Sequence, residues 1–146
     1  MIASAVWKKE SKYEAFSESG HSVLFDASAG HTAGPSPMEA ALMALCGCTS
    51  VNVVSILEKK PEPLTGLTVS ATAEQSGAPP RVFKHIHLVY RVSVKVSRKA
   101  MEDAVSLSKN KYCSVSKMLE KAAEIDFAIE YEDQPNVTEG SVQQAS

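Results

Sequence analysis

From Ala40 through Leu57 the chain carries no charged side chain, and the residues just before that run mark a helix start. Ser36 can cap the helix, and Pro37 suits the first helical position, where its missing N–H costs nothing. Glu39 stands three residues after Ser36, where a capping-box carboxylate reaches back to the Ser36 amide. The helix is expected to run to Lys59 or Lys60, ahead of Pro61. With no charged face over that length, most of its circumference needs a covering of protein. Whatever fold this chain adopts has to be built around one long, nearly enclosed helix.

The flanking segments alternate as strands do. Residues 2–8 and 12–16 and the run His21 to Asp26 read as a three-stranded antiparallel meander, followed by a loop over residues 27–35 that is rich in Ala, Ser, Gly and His. Beyond the turn at residues 61–66, residues 67–74 and 82–96 alternate apolar and polar on either side of Gly77-Ala78-Pro79-Pro80, which makes a long hairpin. Ser97 can cap a second helix over residues 98–109. A third is expected over residues 112–123, and a last strand over 126–132. This order makes an α+β domain, with antiparallel sheets wrapped around the long buried helix. A single domain over residues 1–132 is expected, with a polar, flexible tail over 133–146. Two-sided apolar elements of this kind would leave much surface uncovered in a monomer, so a homodimer is expected.

Composition narrows the functional classes. At 146 residues, with a formal net charge of -2 and lysines and arginines scattered among acids, the chain has no electrostatic footprint for nucleic acid. The N-terminus lacks the pattern of a signal peptide, and no apolar run is expected to span a membrane, which points to a cytoplasmic protein. Three cysteines do not form a disulfide scaffold. In a reducing compartment any bridge between them would be transient or catalytic.

Cys46 and Cys48 invite a metal reading, but two residues apart on a helix means about 200° of rotation, so the thiols diverge. His85 and His87 share one strand face and read as a solvated face, so neither a metal site nor a cofactor is expected. Cys48 lies on the helix face of Ala41, Ala44, Leu45, Val51, Asn52 and Ser55, where a free cysteine is most often a small buried hydrophobe. Cys113 stands at the start of the third helix, with Lys111 and Lys117 nearby. Unpaired amides and positive charge there would stabilise a thiolate, while a plain buried thiol is the equal alternative.

The string Gly34-Pro35-Ser36-Pro37-Met38-Glu39, the small-residue helix through Leu45-Cys46-Gly47-Cys48, and Tyr112-Cys113-Ser114-Val115-Ser116-Lys117-Met118-Leu119 together resemble the OsmC/Ohr family, the osmotically inducible and organic hydroperoxide resistance proteins. The Ser-Pro-Met-Glu and Cys-Ser-Val forms are similar to its YhfA-like branch. The resemblance implies an intertwined homodimer with long helices inside, sheets outside, and active sites at the dimer interface. It implies that Cys48 is the peroxidatic thiol and Cys113 the resolving one. It also implies peroxiredoxin-like reduction of organic hydroperoxides in oxidative stress, with a dithiol as reductant.

The sequence departs from the family peroxidases in the charges around the thiol. Those proteins supply an arginine from the N-terminal region and a glutamate directly after the helix-start proline. Here Met38 takes the glutamate position and no arginine precedes Arg81. Glu39 sits about 100° further round the helix and is accounted for by its capping role. His31 offers a substitute cation from the preceding loop. Two other readings therefore stand beside the redox one. In the first, a non-catalytic dimer binds a hydrophobic small molecule in a cleft around Cys48 lined by Met38, Leu42 and Leu45. In the second, the thiols of a structural paralogue merely fill the core.

Overall fold

The capping box forms as the sequence dictates. In the computed structural model, which describes residues 1–133, the Ser36 amide donates to Glu39 Oε2 at 2.7 Å and the Glu39 amide to Ser36 Oγ at 3.1 Å. Helix α1 then spans Pro37–Glu58. The tail expected over 133–146 lies, apart from Asp133, outside the described residues.

Contacts divide the chain into two units, Met1–Ala44 and the residues from Leu45 onward. The first unit holds β1 (Ala3–Lys9), β2 (Lys12–Ser17) and β3 (Ser22–Asp26) in one antiparallel sheet, ordered β1-β2-β3, with Trp7 opposite Tyr13 and Tyr13 opposite Phe25. Glu10 and Gly20 take positive φ of 52° and 85° at the two turns, the second at no steric cost because glycine lacks a Cβ. The loop that leads into α1 is organised by the carboxylate of Asp26, which is 1% exposed and accepts from the amides of Ser28 at 2.9 Å and Ala33 at 3.1 Å. The Ser28 side chain, and then these two amides, hold the Asp26 pKa down to about 2, because their hydrogen bonds favour its charged form. Gly34 presses directly on β3: a Cβ there would lie 1.9 Å from the carbonyl oxygen of Leu24.

The second unit contains β4 (Leu67–Gln75), β5 (Phe83–Ser93), α2 (Arg98–Leu107), α3 (Ser114–Leu119) and β6 (Glu124–Glu132), with a π-helical turn at Ser108–Tyr112 between α2 and α3. Ser97 caps α2 as expected, accepting from the Ala100 amide at 3.2 Å. The third helix is shorter than the expected 112–123, since the π turn uses the preceding residues and a turn comes after Leu119.

Strands β4 and β5 pair antiparallel as the hairpin expected, but β6 pairs with β5 in parallel, so the sheet is mixed. The expectation of antiparallel sheets fails here because β5 and β6 are joined by the helices α2 and α3. Such a crossover returns the chain to the end of β5 where that strand began. The core of this unit is built from Ile86, Leu88, Tyr90 and Val92 of β5, Met101, Ala104 and Val105 of α2, and one stripe of α1.

That stripe corrects the picture of an enclosed helix. Leu45, Thr49, Val53 and Leu57, spaced four apart, are the buried residues of α1, whereas Met43 is 59% and Val51 70% exposed in the single chain. By length and composition α1 is also apolar enough to cross a membrane, with a mean hydropathy of 1.9 over its best window, contrary to the expectation that no run approached a span. Uncharged small residues raise hydropathy and suit close helix packing alike, so core helices share this composition.

Candidate functional site

Cys48 lies on α1 one residue before Thr49, half-buried, and Cys113 lies at the N-cap of α3, fully buried. The two thiols meet. Cys113 is pushed up to about 11, first by burial and next by the neighbouring Cys48 thiol. The helix start does act on the sulfur: the Ser116 amide donates to Cys113 Sγ at 3.4 Å, and the amides of Ser116 and Val115 pull its pKa down. Burial outweighs them, so of the two alternatives open for Cys113 the buried thiol is favoured over the stabilised thiolate. The flanking lysines do not help, because Lys117 pairs with Glu120 at 2.9 Å and Lys111 lies over the Tyr112 ring. Cys113 therefore holds its proton at neutral pH.

Cys46, half-buried, stands two residues before Cys48 on α1. Its backbone carbonyl accepts from Ser50 Oγ at 2.7 Å, and burial raises its thiol pKa. Leu45 is fully buried in the second unit, three residues before Cys48. Met38 (37% exposed) and the half-buried Leu42 lie on the part of α1 that belongs to the first unit. His31, the candidate substitute cation, bonds through Nδ1 to the backbone oxygen of Asp26 at 2.7 Å, which makes it a member of the loop that Asp26 organises.

Sequence reasoning missed a buried hydroxyl network beside the thiols. Thr49 Oγ1 shares hydrogen bonds with Tyr90 Oη at 2.6 Å and with Ser108 Oγ at 2.9 Å. All three side chains are 2% exposed or less. Burial pushes the Tyr90 phenol up to about 12, with the neighbouring Cys113 and Cys46 adding to the rise, so it stays protonated. Beside Cys113, Ser116 Oγ is buried with no hydrogen-bond partner among the described residues. A cluster of polar residues spaced 41 and 59 apart leaves no local pattern that would have revealed it.

The histidine face was also underread. His85 Nε2 bonds Asp126 Oδ2 at 2.8 Å and His87 Nδ1 bonds Asp126 Oδ1, so both imidazoles converge on one carboxylate of β6. The Asp126 hydrogen bond raises the His85 pKa, and the histidines lower that of Asp126. Among the described residues, no group of three His, Cys, Asp or Glu side chains is placed to hold a metal ion.

The chain and its fold resemble known proteins. The family model described as OsmC-like protein matches residues 30–128. Protein YhfA of Escherichia coli K12 is 41% identical over 131 residues, covering 89% of this chain and 97% of its own. In fold, an OsmC-like protein from Mycoplasma pneumoniae superposes with a TM-score of 0.75 at 19% identity, covering 89% of this chain and 96% of its own. An organic hydroperoxide resistance protein from Elizabethkingia anophelis gives 0.70 at 12% identity, covering 89% and 94%. A family model matched over residues 30–128, a relative 41% identical over most of both chains and a two-sheet α+β architecture lead to one conclusion: the chain belongs to the OsmC-like family.

Proposed function

We propose that this protein is a thiol redox enzyme that reduces organic hydroperoxides, with Cys48 as nucleophile and Cys113 as resolving thiol. The observation that carries the reading is the side-chain contact between Cys48 and Cys113. The Cys48 thiolate attacks the peroxide; an S–O bond forms, the O–O bond breaks, and the alkoxide leaves to take a proton as alcohol. Cys113 then attacks the resulting sulfenic acid. The S–S bond forms, and the Cys113 proton leaves with the hydroxyl as water. A dithiol returns both thiols by exchange. Cys113 has to give up its proton as it attacks, and that proton is the one that leaves with the hydroxyl.

The same reading takes a homodimer in the cytoplasm as the working form, with a second copy covering Met43, Val51 and the exposed Trp7. Its domain is residues 1–132. A second reading, a dimer that binds a hydrophobic molecule without turnover, draws on Met38, an apolar group where the family peroxidases carry glutamate, with Leu42 and Leu45 as further lining.

The test is stoichiometric addition of an organic hydroperoxide to the reduced protein, then peptide mass spectrometry. A Cys48–Cys113 disulfide should form, Cys113→Ser should stop at a trappable sulfenic acid on Cys48, and Cys48→Ser should consume no peroxide. Unchanged thiols with unconsumed peroxide would refute the redox reading. Copurification of an apolar ligand, retained in Cys48→Ser and seen by native mass spectrometry, would favour the second.

A further inference from the structure

Ser108 is bonded at both ends to the segments that carry the two thiols. Its hydroxyl meets Thr49 Oγ1 at 2.9 Å and lies 3.4 Å from the Thr49 carbonyl oxygen, on the residue next after Cys48. Its carbonyl accepts from the Cys113 amide at 2.8 Å, the bond that closes the π-helical turn. From Cys113 the chain of bonds continues to the Ser116 amide, which donates to Sγ. Tyr90 of β5 anchors the Thr49 end at 2.6 Å. Single π turns of this kind are frequent at functional sites, because the extra residue re-aims the side chains C-terminal to it.

We propose that the Thr49–Ser108 hydrogen bond is a clamp that holds the backbones bearing Cys48 and Cys113 together, so that Thr49 and Ser108 are positioning residues for disulfide closure. The inference rests on the thiol-redox reading and concerns its second step. In the reduced protein nothing covalent joins α1 to the π turn, and the pairing of the thiols depends on how tightly those segments are kept in register. Proximity of this kind is what raises the effective concentration of one group near another. Without the Thr49 hydroxyl, the two segments lose their shorter side-chain hydrogen bond, and the Ser108 hydroxyl keeps only the 3.4 Å approach to the Thr49 carbonyl oxygen.

The measurement is the effective concentration of the two thiols, obtained by equilibrating the protein with glutathione and its disulfide. Glutathione disulfide takes the two electrons and releases two glutathione thiols as the internal disulfide forms, so no hydroperoxide chemistry is involved. Thr49→Val and Ser108→Ala should each lower that value about tenfold, on the order of one buried hydrogen bond lost. Thr49→Ser restores the hydroxyl and should stay within about threefold of wild type, as should Tyr90→Phe, which leaves the Thr49–Ser108 bond in place. A purely structural role would lower the melting temperature of Thr49→Val and leave the effective concentration unchanged, and that result overturns the clamp. Should the wild type form no internal disulfide, the redox reading fails separately and amide exchange decides the clamp. A Cys113 amide exchanging faster in Thr49→Val than in Thr49→Ser supports it, and equal rates overturn it.

Discussion

Cys113 should react slowly at neutral pH, because burial and the neighbouring Cys48 thiol push its pKa up. With its pKa at about 11, the thiolate fraction at pH 7 is about one in ten thousand, against about one in a hundred for a thiol at the ordinary value of 9.0. The perturbation is pH itself, applied between 6 and about 10.5 to the reduced protein in the presence of iodoacetamide, with peptide mass spectrometry tracking alkylation at residue 113. Burial alone would slow the reaction equally at every pH, so the shape of the profile is the readout. The rate at Cys113 should keep rising about tenfold per pH unit through pH 9 and 10, without the plateau an ordinary thiol shows. In Cys48→Ala the contribution of the neighbouring thiol disappears while burial remains, so the rise should bend at lower pH but still above the ordinary range. The stability linkage has the same origin. Because the folded pKa is raised, the unfolded chain loses this proton first, and stability falls as pH climbs from about 9 to about 11. A Cys113 rate that levels off below pH 8 would refute the reasoning and exchange the roles assigned to the two thiols.

Three further outcomes test the surrounding structure. Gly34→Ala places a Cβ against the Leu24 carbonyl, a backbone atom that cannot swing aside, and should cost about 3 kcal/mol, read as a loss of about 10 °C in Tm. A wild-type Tm would show that the approach of Gly34 to β3 is relaxed. Asp26, held down to about 2 from 3.8, contributes stability above about pH 4 that is lost as pH falls toward 2. Asp26→Asn should flatten the denaturation midpoint over that window, and curves that remain parallel to wild type would count against it. Asp126→Asn should lower the His85 pKa seen by NMR titration, since the carboxylate hydrogen bond is the main cause of its rise. An unchanged titration would mean that His85 and Asp126 do not pair in solution.

Features that depend on neighbours in the chain were legible in the sequence. The Ser36–Glu39 box, the Ser97 cap and the alternation of β4 and β5 are local patterns, and each element stands within a few residues of its expected place. The parallel pairing of β6 escaped because strand direction is decided by the crossover and leaves no periodicity in the strand. The enclosure of α1 was overstated because absence of charge says that a surface avoids water without saying what covers it; within the single chain only the Leu45, Thr49, Val53 and Leu57 stripe is covered. At the site, the motifs located both cysteines, but the balance at Cys113 between helix-start amides and burial depends on packing. The convergence of His85 and His87 on Asp126 required a strand 39 residues or more away.

The parallel pairing of β5 with β6 has a kinetic consequence. A hairpin can close as soon as its turn forms, but β6 reaches β5 only after residues 94–123 have been threaded across as α2, the π turn and α3. That long closure must be met before any of its contacts reward it, which makes it the natural slow step in folding the second unit. Cys113 travels within that crossover. The recovery of the mixed sheet and the arrival of Cys113 beside Cys48 therefore belong to one event, and a refolding chain acquires its thiol pair at the moment its last strand docks.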